Sequence, residues 1–266
     1  MLLYPDEPAW MVTLLFQKLE GIVLRTSDYG EANKILTIYT RELGKFAAVA
    51  RGAKKPKSRL ASVSQPFTYG YFVATTGRKG LGTIHQGEII DVFRTIKEDL
   101  FLTGYASYCA ELLDKSTEER ERNPFLFEVF YQTIKYLDEE YDPQIIKNIF
   151  EMKMLPVLGY RPVLDRCVLC RRKDGSFVFS VRVGGILCPE CAEKDPYHLK
   201  VSQAVIRLLR LFYFFDLSRL GTINVKNQTK KELELCISNY YDEYSGLYLK
   251  SKKFLEQLKK LDFQEN

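Results

Sequence analysis

The sequence predicts an α+β protein in two parts: a small β-barrel, then an α-helical domain with a four-cysteine module set into it. Three observations predict this. Five short segments rich in β-branched and aromatic residues recur at roughly ten-residue spacing between residues 15 and 92. After Asp91 the apolar residues change to helical spacing. Between residues 165 and 195 the chain carries two Cys-x-x-Cys pairs.

The strand segments are Gly21–Arg25, Ile35–Tyr39, Lys45–Ala50, Phe67–Val73, and Gly82–Gln86 continuing into Glu88–Ile90. Tyr29-Gly30-Glu31 and Gly44 supply breaks between them. Five short strands of this spacing suit an OB-fold, a Greek-key barrel that hosts oligonucleotides. Its expected span is residues 15–92. The first fourteen residues hold two prolines and two acids ahead of a second methionine, Met11, and read as an extension outside the fold or as a misassigned start.

Helices follow over 93–266. One runs over Asp99–Leu113, and prolines 124 and 143 open two more, since proline suits the first helical turn. Pro156 disturbs the end of the third. Ser202 is placed to cap a helix carrying Val205, Ile206, Leu208, Leu209, Phe212 and Phe215. Thr229-Lys-Lys-Glu232 has the form of a capping box ahead of one last helix, with Lys250, Lys252, Lys253, Lys259 and Lys260 on its wet face.

Cys167, Cys170, Cys188 and Cys191 spell C-x2-C-x17-C-x2-C. Two residues between paired cysteines let both sulfurs of one turn reach a tetrahedral metal, and four thiolates close its coordination sphere. The expectation is one structural Zn2+ that does not activate water. Arg171–Leu187 should fold back as a hairpin, with Phe177, Phe179, Val181 and Val183 alternating and Gly184-Gly185 turning the chain. Buried or disulfide-bonded cysteines are the alternative. Cys109 and Cys236 stand alone in helical patterns and read as small core residues.

At 266 residues, 46% hydrophobic and 27% charged, the chain is long enough for two domains with a sizeable core. No apolar run approaches the ~20 residues of a membrane span. The N-terminus shows no basic stretch followed by an apolar one, so a secretory signal is not expected, and the cysteine usage fits the reducing cytoplasm. The net charge of +5 is modest, so placement of charge matters more than its total. Arg51, Lys54, Lys55, Lys57 and Arg59 place five positive charges in nine residues without an acid, in a stretch whose Gly, Pro and Ser read as a flexible loop. Charge and reach are what phosphate contacts require. Tyr39, Phe46, Tyr69 and Tyr71 lie nearby in sequence as candidates for base stacking, with core packing the competing reading. Arg171-Arg172-Lys173 follows Cys170 as a second cationic cluster.

Catalytic patterns are lacking. There is no phosphate loop, Gly80-Leu-Gly82 lacks the rest of a dinucleotide fingerprint, and no H-E-x-x-H occurs. A zinc deaminase needs an H-x-E beside its cysteines, whereas His85 is followed by Gln86-Gly87. His85 and His198 read as structural. The sequence therefore argues against an enzyme.

Several stretches together resemble the RecO family of bacterial recombination mediators, in the form with a zinc module. They are Gly21-Ile-Val-Leu-Arg-Thr-Ser-Asp-Tyr-Gly-Glu31, Ala50-Arg-Gly-Ala53, Ser64-Gln-Pro66, Phe212-Tyr-Phe-Phe-Asp-Leu217 and Glu243-Tyr-Ser-Gly-Leu-Tyr-Leu-Lys250. The resemblance runs from about Glu20 to Leu258. It implies an OB domain, a helical domain bearing the zinc, and a non-enzymatic role in DNA repair. It further implies binding of single- and double-stranded DNA, annealing of complementary strands, work with RecR, and help in loading RecA onto strands coated by single-stranded-DNA-binding protein (SSB), whose acidic C-terminal tail such proteins engage. Carried onto this chain, the DNA-binding positions are Arg25, Lys34, Arg41, Arg51, Lys54, Lys55, Lys57 and Arg59. The competing readings are a structural zinc-containing RNA-binding protein and a zinc enzyme acting on nucleic acid.

Overall fold

The computed structural model of the protein describes residues 15–76, 80–221 and 223–265. The extension expected before residue 15 lies outside them. The chain divides into two compact units, one of residues up to Phe93 with Glu118–Phe127, the other of Arg94–Thr117 with residues from Glu128 onward.

Five strands make the first unit: β1 (Leu15–Tyr29), β2 (Asn33–Thr40), β3 (Gly44–Ala50), β4 (Tyr69–Thr76) and β5 (Gly82–Asp91). They close in the order β1-β2-β3-β5-β4, with β3 and β5 parallel and the other neighbours antiparallel. This is the OB-type barrel that the strand spacing predicts. Alternation places one side of each strand inward, so Leu19, Val23, Leu36, Ile38, Phe46, Ala48, Phe72, Ala74 and Ile84 fill the interior.

The first strand is much longer than the Gly21–Arg25 core read from the sequence. Charged residues such as Lys18 and Glu20 hide its full extent from propensity, because they occupy its outward positions. Its N-terminal part pairs with β4 from Leu15↔Thr76 to Ile22↔Tyr69, and Gly21–Tyr29 pairs with β2. A register shift between Val23 and Arg25 bends it between these partners.

Glu118–Phe127 packs onto the barrel at the β2–β3 turn. Arg120 N donates to Lys45 O at 2.8 Å, and the Phe127 ring stacks near Tyr39 with centroids 6.5 Å apart. Gly44 permits the approach. Its φ is +69°, and a Cβ there would stand 2.0 Å from the Glu121 carbonyl oxygen.

The second unit contains α1 (Arg94–Glu98), α2 (Leu100–Ser116), most of α3 (Pro124–Asp138), α4 (Pro143–Met154), α5 (Pro189–Ala192), α6 (Gln203–Phe214), α7 (Asn227–Tyr244) and α8 (Lys250–Glu265). Between α4 and α5 lies the hairpin of β6 (Val178–Ser180) and β7 (Gly185–Leu187). Asp99 caps α2 by accepting from Leu102 N, and Asp142 caps α4 from ahead of Pro143. The central helix α4 packs against α2, α6 and α7 and is buried nearly all round, including Lys147 and Glu151.

Those two charges organise four helices. Lys147 Nζ lies 3.0 Å from Glu151 Oε2 and 3.6 Å from Glu234 of α7. Tyr108 of α2 donates to Glu151 at 2.6 Å, and Lys259 of α8 pairs with Glu234 at 2.9 Å. Burial pushes the Glu234 carboxyl up, but Lys147 and Lys259 more than offset it and hold it below the ordinary carboxylate value.

Three expectations need correction. Thr229–Glu232 does not start a helix: α7 begins at Asn227 with Lys226 at its N-cap. Glu232 reaches instead to Ser202 N at 3.0 Å, so a tertiary contact takes the carboxylate that the local motif would have used. The Ser202 side chain itself makes no cap bond at the start of α6, although Ser202 occupies the cap position. The last helix is two, α7 and α8, parted at residues 245–249, and Lys252 and Lys259 of α8 are half-buried on Asp242 and Glu234 and leave the wet face.

Gly44→Ala should destabilise the protein clearly more than Gly30→Ala. The latter also has positive φ but meets no atom within 4 Å, so it carries only the backbone strain of about 1–3 kcal/mol. Equal unfolding midpoints for the two variants would show that Glu118–Phe127 does not press on this turn. Lys147→Ala strands Glu151 in the interior and should cost about 3–5 kcal/mol in denaturant unfolding; a loss below 1 kcal/mol would mean the carboxylate finds water or another partner.

Candidate nucleic-acid interface and metal centre

The basic segment between β3 and β4 is an ordered series of turns, not the flexible loop read from its composition. Ala53 and Val63 are buried in the barrel core and Leu60 packs against it. Lys54 N donates to Ala32 O at 3.0 Å and Gly52 N to Asn33 Oδ1 at 2.9 Å, so the segment is fastened to the turn joining β1 and β2. Lys55 N to Gly52 O, Ser58 N to Lys55 O and Ser64 N to Leu60 O carry the turns onward. Small residues and serine suit such turns, while the two apolar anchors fix the cations outward.

Arg51, Lys54, Lys55, Lys57 and Arg59 are all exposed. Lys34 joins them, because it pairs in register with Ala50, the residue before Arg51. The acid-free character of the segment is offset at one point: Lys54 Nζ lies 2.8 Å from Asp28 of β1. That contact, rather than burial, holds the Asp28 carboxyl below its usual value. Arg25 is exposed in the middle of β1, opposite Thr37. Arg41 stands at the far end of β2 from Lys34. It forms a bidentate pair with Glu20, Nε–Oε2 2.8 Å and Nη2–Oε1 3.1 Å, and its guanidinium lies 4.4 Å over the Phe127 ring. The geometry therefore gathers Lys34 and the five loop cations and leaves Arg41 committed to structure.

Base stacking by Tyr39, Phe46 or Tyr69 is ruled out by burial, since all three belong to the core. Sequence proximity misled here because inward and outward positions alternate along a strand. Tyr71 is half-buried with Lys18 Nζ 4.0 Å over its ring. The exposed aromatic beside the loop is one the sequence reading missed: Tyr29, 49% exposed at the end of β1, in register with Asn33. Its signal was present in Asp-Tyr-Gly, an aromatic next to a turn glycine with positive φ. A second missed pair is Phe16, 64% exposed, with His85 at a centroid distance of 5.0 Å; His85 Nε2 also bonds Thr75 Oγ1 at 3.0 Å.

In the helical unit, Cys167, Cys170, Cys188 and Cys191 converge with all four Sγ atoms within 4.8 Å of one another. A tetrahedral tetrathiolate with bonds of about 2.3 Å needs sulfurs about 3.8 Å apart, so the cluster fits a metal ion; Cys170 and Cys188 stand at 3.5 Å. Two knuckles present the thiols. In the first, Arg171 with φ +64° closes a turn, its N–H bonding Cys167 O while Cys167 N bonds Arg172 O at 2.8 Å. In the second, Cys188 precedes the single turn α5, opened by Pro189, and its carbonyl accepts from Cys191 N and Ala192 N. The hairpin joins them, since Val168 N bonds Ile186 O at 2.9 Å on β7. Gly185 lets the chain before the first knuckle close in, because a Cβ there would meet Val163 O at 2.3 Å.

The hairpin is shorter than its expected alternation. Val181 and Val183 lie in the turn between the strands, not on β6. Burial pushes the Cys167, Cys188 and Cys191 thiols up; at Cys167 the backbone N–H groups of Cys170, Cys188 and Leu169 more than offset it and bring that thiol to about 6, whereas Cys188 stays raised, to about 12. Arg171 and Lys173 are exposed, and Arg172 is paired with Glu190 at 2.7 Å. Cys109 and Cys236 are buried core thiols as expected. His198 is tied to its own turn through Asp195 O at 2.7 Å. No helix among the described residues is long and apolar enough to cross a membrane.

The chain combines a barrel that carries an outward cationic segment with a helical unit that carries a four-thiol cluster, and comparison with known proteins sets it among DNA repair proteins. The family described as Recombination protein O N terminal matches residues 14–93, and Recombination protein O C terminal matches residues 97–253. The chain is 57% identical over 246 residues to a protein named DNA repair protein RecO from Bacillus cereus strain B4264, covering 92% of this chain and 99% of that one. It is 58% identical, with the same coverage, to proteins of that name from Bacillus cereus strain AH187 and Bacillus anthracis strain CDC 684. The chain belongs to the RecO family. This is a family of DNA repair proteins and not of enzymes.

Stripping the metal with a chelator should lower the unfolding temperature of the protein and cost several kcal/mol, a sizeable share of a stability of roughly 5–15 kcal/mol; restoring the metal should recover it. A protein that melts identically before and after chelation would make the four thiols an ordinary packed cluster.

Proposed function

We propose that the protein is a recombination mediator that binds DNA through the cationic segment of its barrel and anneals complementary single strands without ATP. The observation that carries this reading is the anchored array of Lys34, Arg51, Lys54, Lys55, Lys57 and Arg59. Fixed cations release counterions from phosphate, and neutralising two strands together removes the repulsion that slows their pairing. Arg25 belongs to the same surface in this reading, and Arg41 contributes by bracing Glu20 and Tyr69. Tyr29 offers a ring on which a base can stack at the edge of the array. Residues 15–92 serve as the DNA-binding module and 93–266 as the helical scaffold. The metal is Zn2+, favoured by four thiolates and tetrahedral spacing; it holds the two knuckles and takes no part in pairing.

The partners are those of a mediator: RecR, SSB and, through them, RecA, in the cytoplasm at the nucleoid. A surface suited to an acidic, apolar SSB tail runs along α6. An apolar hollow of about 170 Å³ is lined by Leu211, Phe212, Phe215 and Leu220 with Arg219 at its rim. Beside it lies a second hollow carrying Arg207 and Arg210. Apolar side chains and a terminal carboxylate would find complementary ground there.

The test is annealing of complementary oligonucleotides, bare and SSB-coated, across a salt series without ATP. The triple substitution Lys55→Glu, Lys57→Glu, Arg59→Glu should leave unfolding unchanged and weaken single-strand binding by roughly tenfold or more, while the slope of log K against log salt falls by about 2, near 0.7 per phosphate contact. Tyr29→Ala should cost a further 1–3 kcal/mol or so if the ring stacks. Wild-type affinity and salt slope in the triple variant would remove this segment from the DNA site.

A further inference from the structure

The thiolate cradle is unevenly protected. Cys167, Cys188 and Cys191 are buried, whereas Cys170 is exposed at the end of its turn. Its neighbours Leu169, Arg171, Arg172 and Lys173 are exposed as well, so the turn that carries Cys170 lies at the surface. The Sγ of buried Cys188, on the other knuckle, lies 3.5 Å away. A disulfide requires about 2.05 Å, so a movement of roughly 1.5 Å in the exposed turn joins the two.

We propose that Cys170 and Cys188 form a peroxide-sensitive modification site that releases the metal. The Cys170 thiolate attacks hydrogen peroxide; the O–O bond breaks, an S–O bond forms, and hydroxide leaves. The Cys188 thiolate then attacks the Cys170 sulfenic acid; the S–O bond breaks, the S–S bond forms, and a second hydroxide leaves. In sum, two thiolates and one peroxide give one disulfide and two hydroxides. The sulfur pair loses two electrons, which the peroxide accepts. The metal loses one ligand from each knuckle and keeps only Cys167 and Cys191, too few to hold it. A dithiol reductant reverses the reaction and restores the site.

The pairing across the knuckles is what gives the event a structural consequence. A disulfide within Cys167–Cys170 or Cys188–Cys191 would leave one knuckle intact. The Cys170–Cys188 bond breaks into both at once, including the turn whose Val168 N–H holds β7. Cys109 and Cys236 do not compete, because both are fully buried in the helical core and stand outside the thiol cluster. The cationic segment of the barrel contains no cysteine, so its DNA binding should outlast the oxidation.

This inference rests on the metal reading of the cluster, and the two are tested separately. Metal content of the full-length protein is measured first; a protein purified without metal defeats the metal reading itself. The loaded protein is then titrated with hydrogen peroxide while metal release is followed with a chromogenic chelator and disulfides are mapped by peptide mass spectrometry. The expected result is one metal released per Cys170–Cys188 disulfide, with Cys170 modified roughly tenfold or more faster than Cys109 or Cys236, and recovery on reduction with added metal. Metal retained under peroxide, or released with a disulfide confined to one knuckle, overturns the proposal while leaving the metal site standing. Because Cys170→Ser can impair loading, Leu169→Arg and Lys173→Ala serve as folded comparisons, in which the same disulfide should still form.

Discussion

Closure of the barrel rests on one strand, β1, which must satisfy hydrogen-bonding partners on both sides. Its N-terminal part is paired with β4 and its C-terminal part with β2, and without either half the sheet would have an open edge. The bend at Val23–Arg25 lets one strand serve two directions. Everything proposed for DNA depends on this closure. The turn after β1 receives the cationic segment through Ala32 and Asn33, and Asp28 near the end of β1 receives Lys54. A segment anchored in this way presents its charges in fixed positions, which lowers the ordering cost of meeting a phosphate backbone.

The helical unit solves a different problem. Its central helix buries a lysine and a carboxylate that no apolar core would choose, and it compensates them with a tyrosine, a second carboxylate and a second lysine drawn from other helices. Such a node specifies how α2, α4, α7 and α8 meet, because each alternative arrangement leaves a buried charge without a partner. The thiolate cradle works by the same logic at shorter range. Two short knuckles and a hairpin of three-residue strands bring four thiols together, two from each knuckle, and a metal ion held there would tie the knuckles to each other. The same economy leaves one of the four cysteines at the surface.

Much of the fold and of the candidate site was legible in the residues. The C-x2-C-x17-C-x2-C spacing identified all four convergent thiols, because a two-residue gap and a hairpin-length loop leave few other geometries. The five strands followed from β-branched and aromatic runs between glycine turns, and prolines 124 and 143 marked helix starts because proline is tolerated in a first turn. The loop cations were visible as a run without acids. Where the sequence reading failed, the failing signal was local and the deciding contact was distant. The Thr229–Glu232 capping box lost its carboxylate to Ser202, and Lys252 and Lys259 looked like surface until Asp242 and Glu234 claimed them.

The sequence by itself therefore determined what depends on spacing along the chain: strand and helix periodicity, turn positions, ligand sets and the count of charges on a loop. The tertiary structure alone decided which groups remain available for function. It buried Tyr39, Phe46 and Tyr69 and exposed Tyr29, committed Arg41 to Glu20, and left Cys170 open among three buried thiols. The physical reason is that availability is set by partners far away in the chain. A side chain's burial and pairing depend on which distant residue packs opposite it, and no local pattern records that choice.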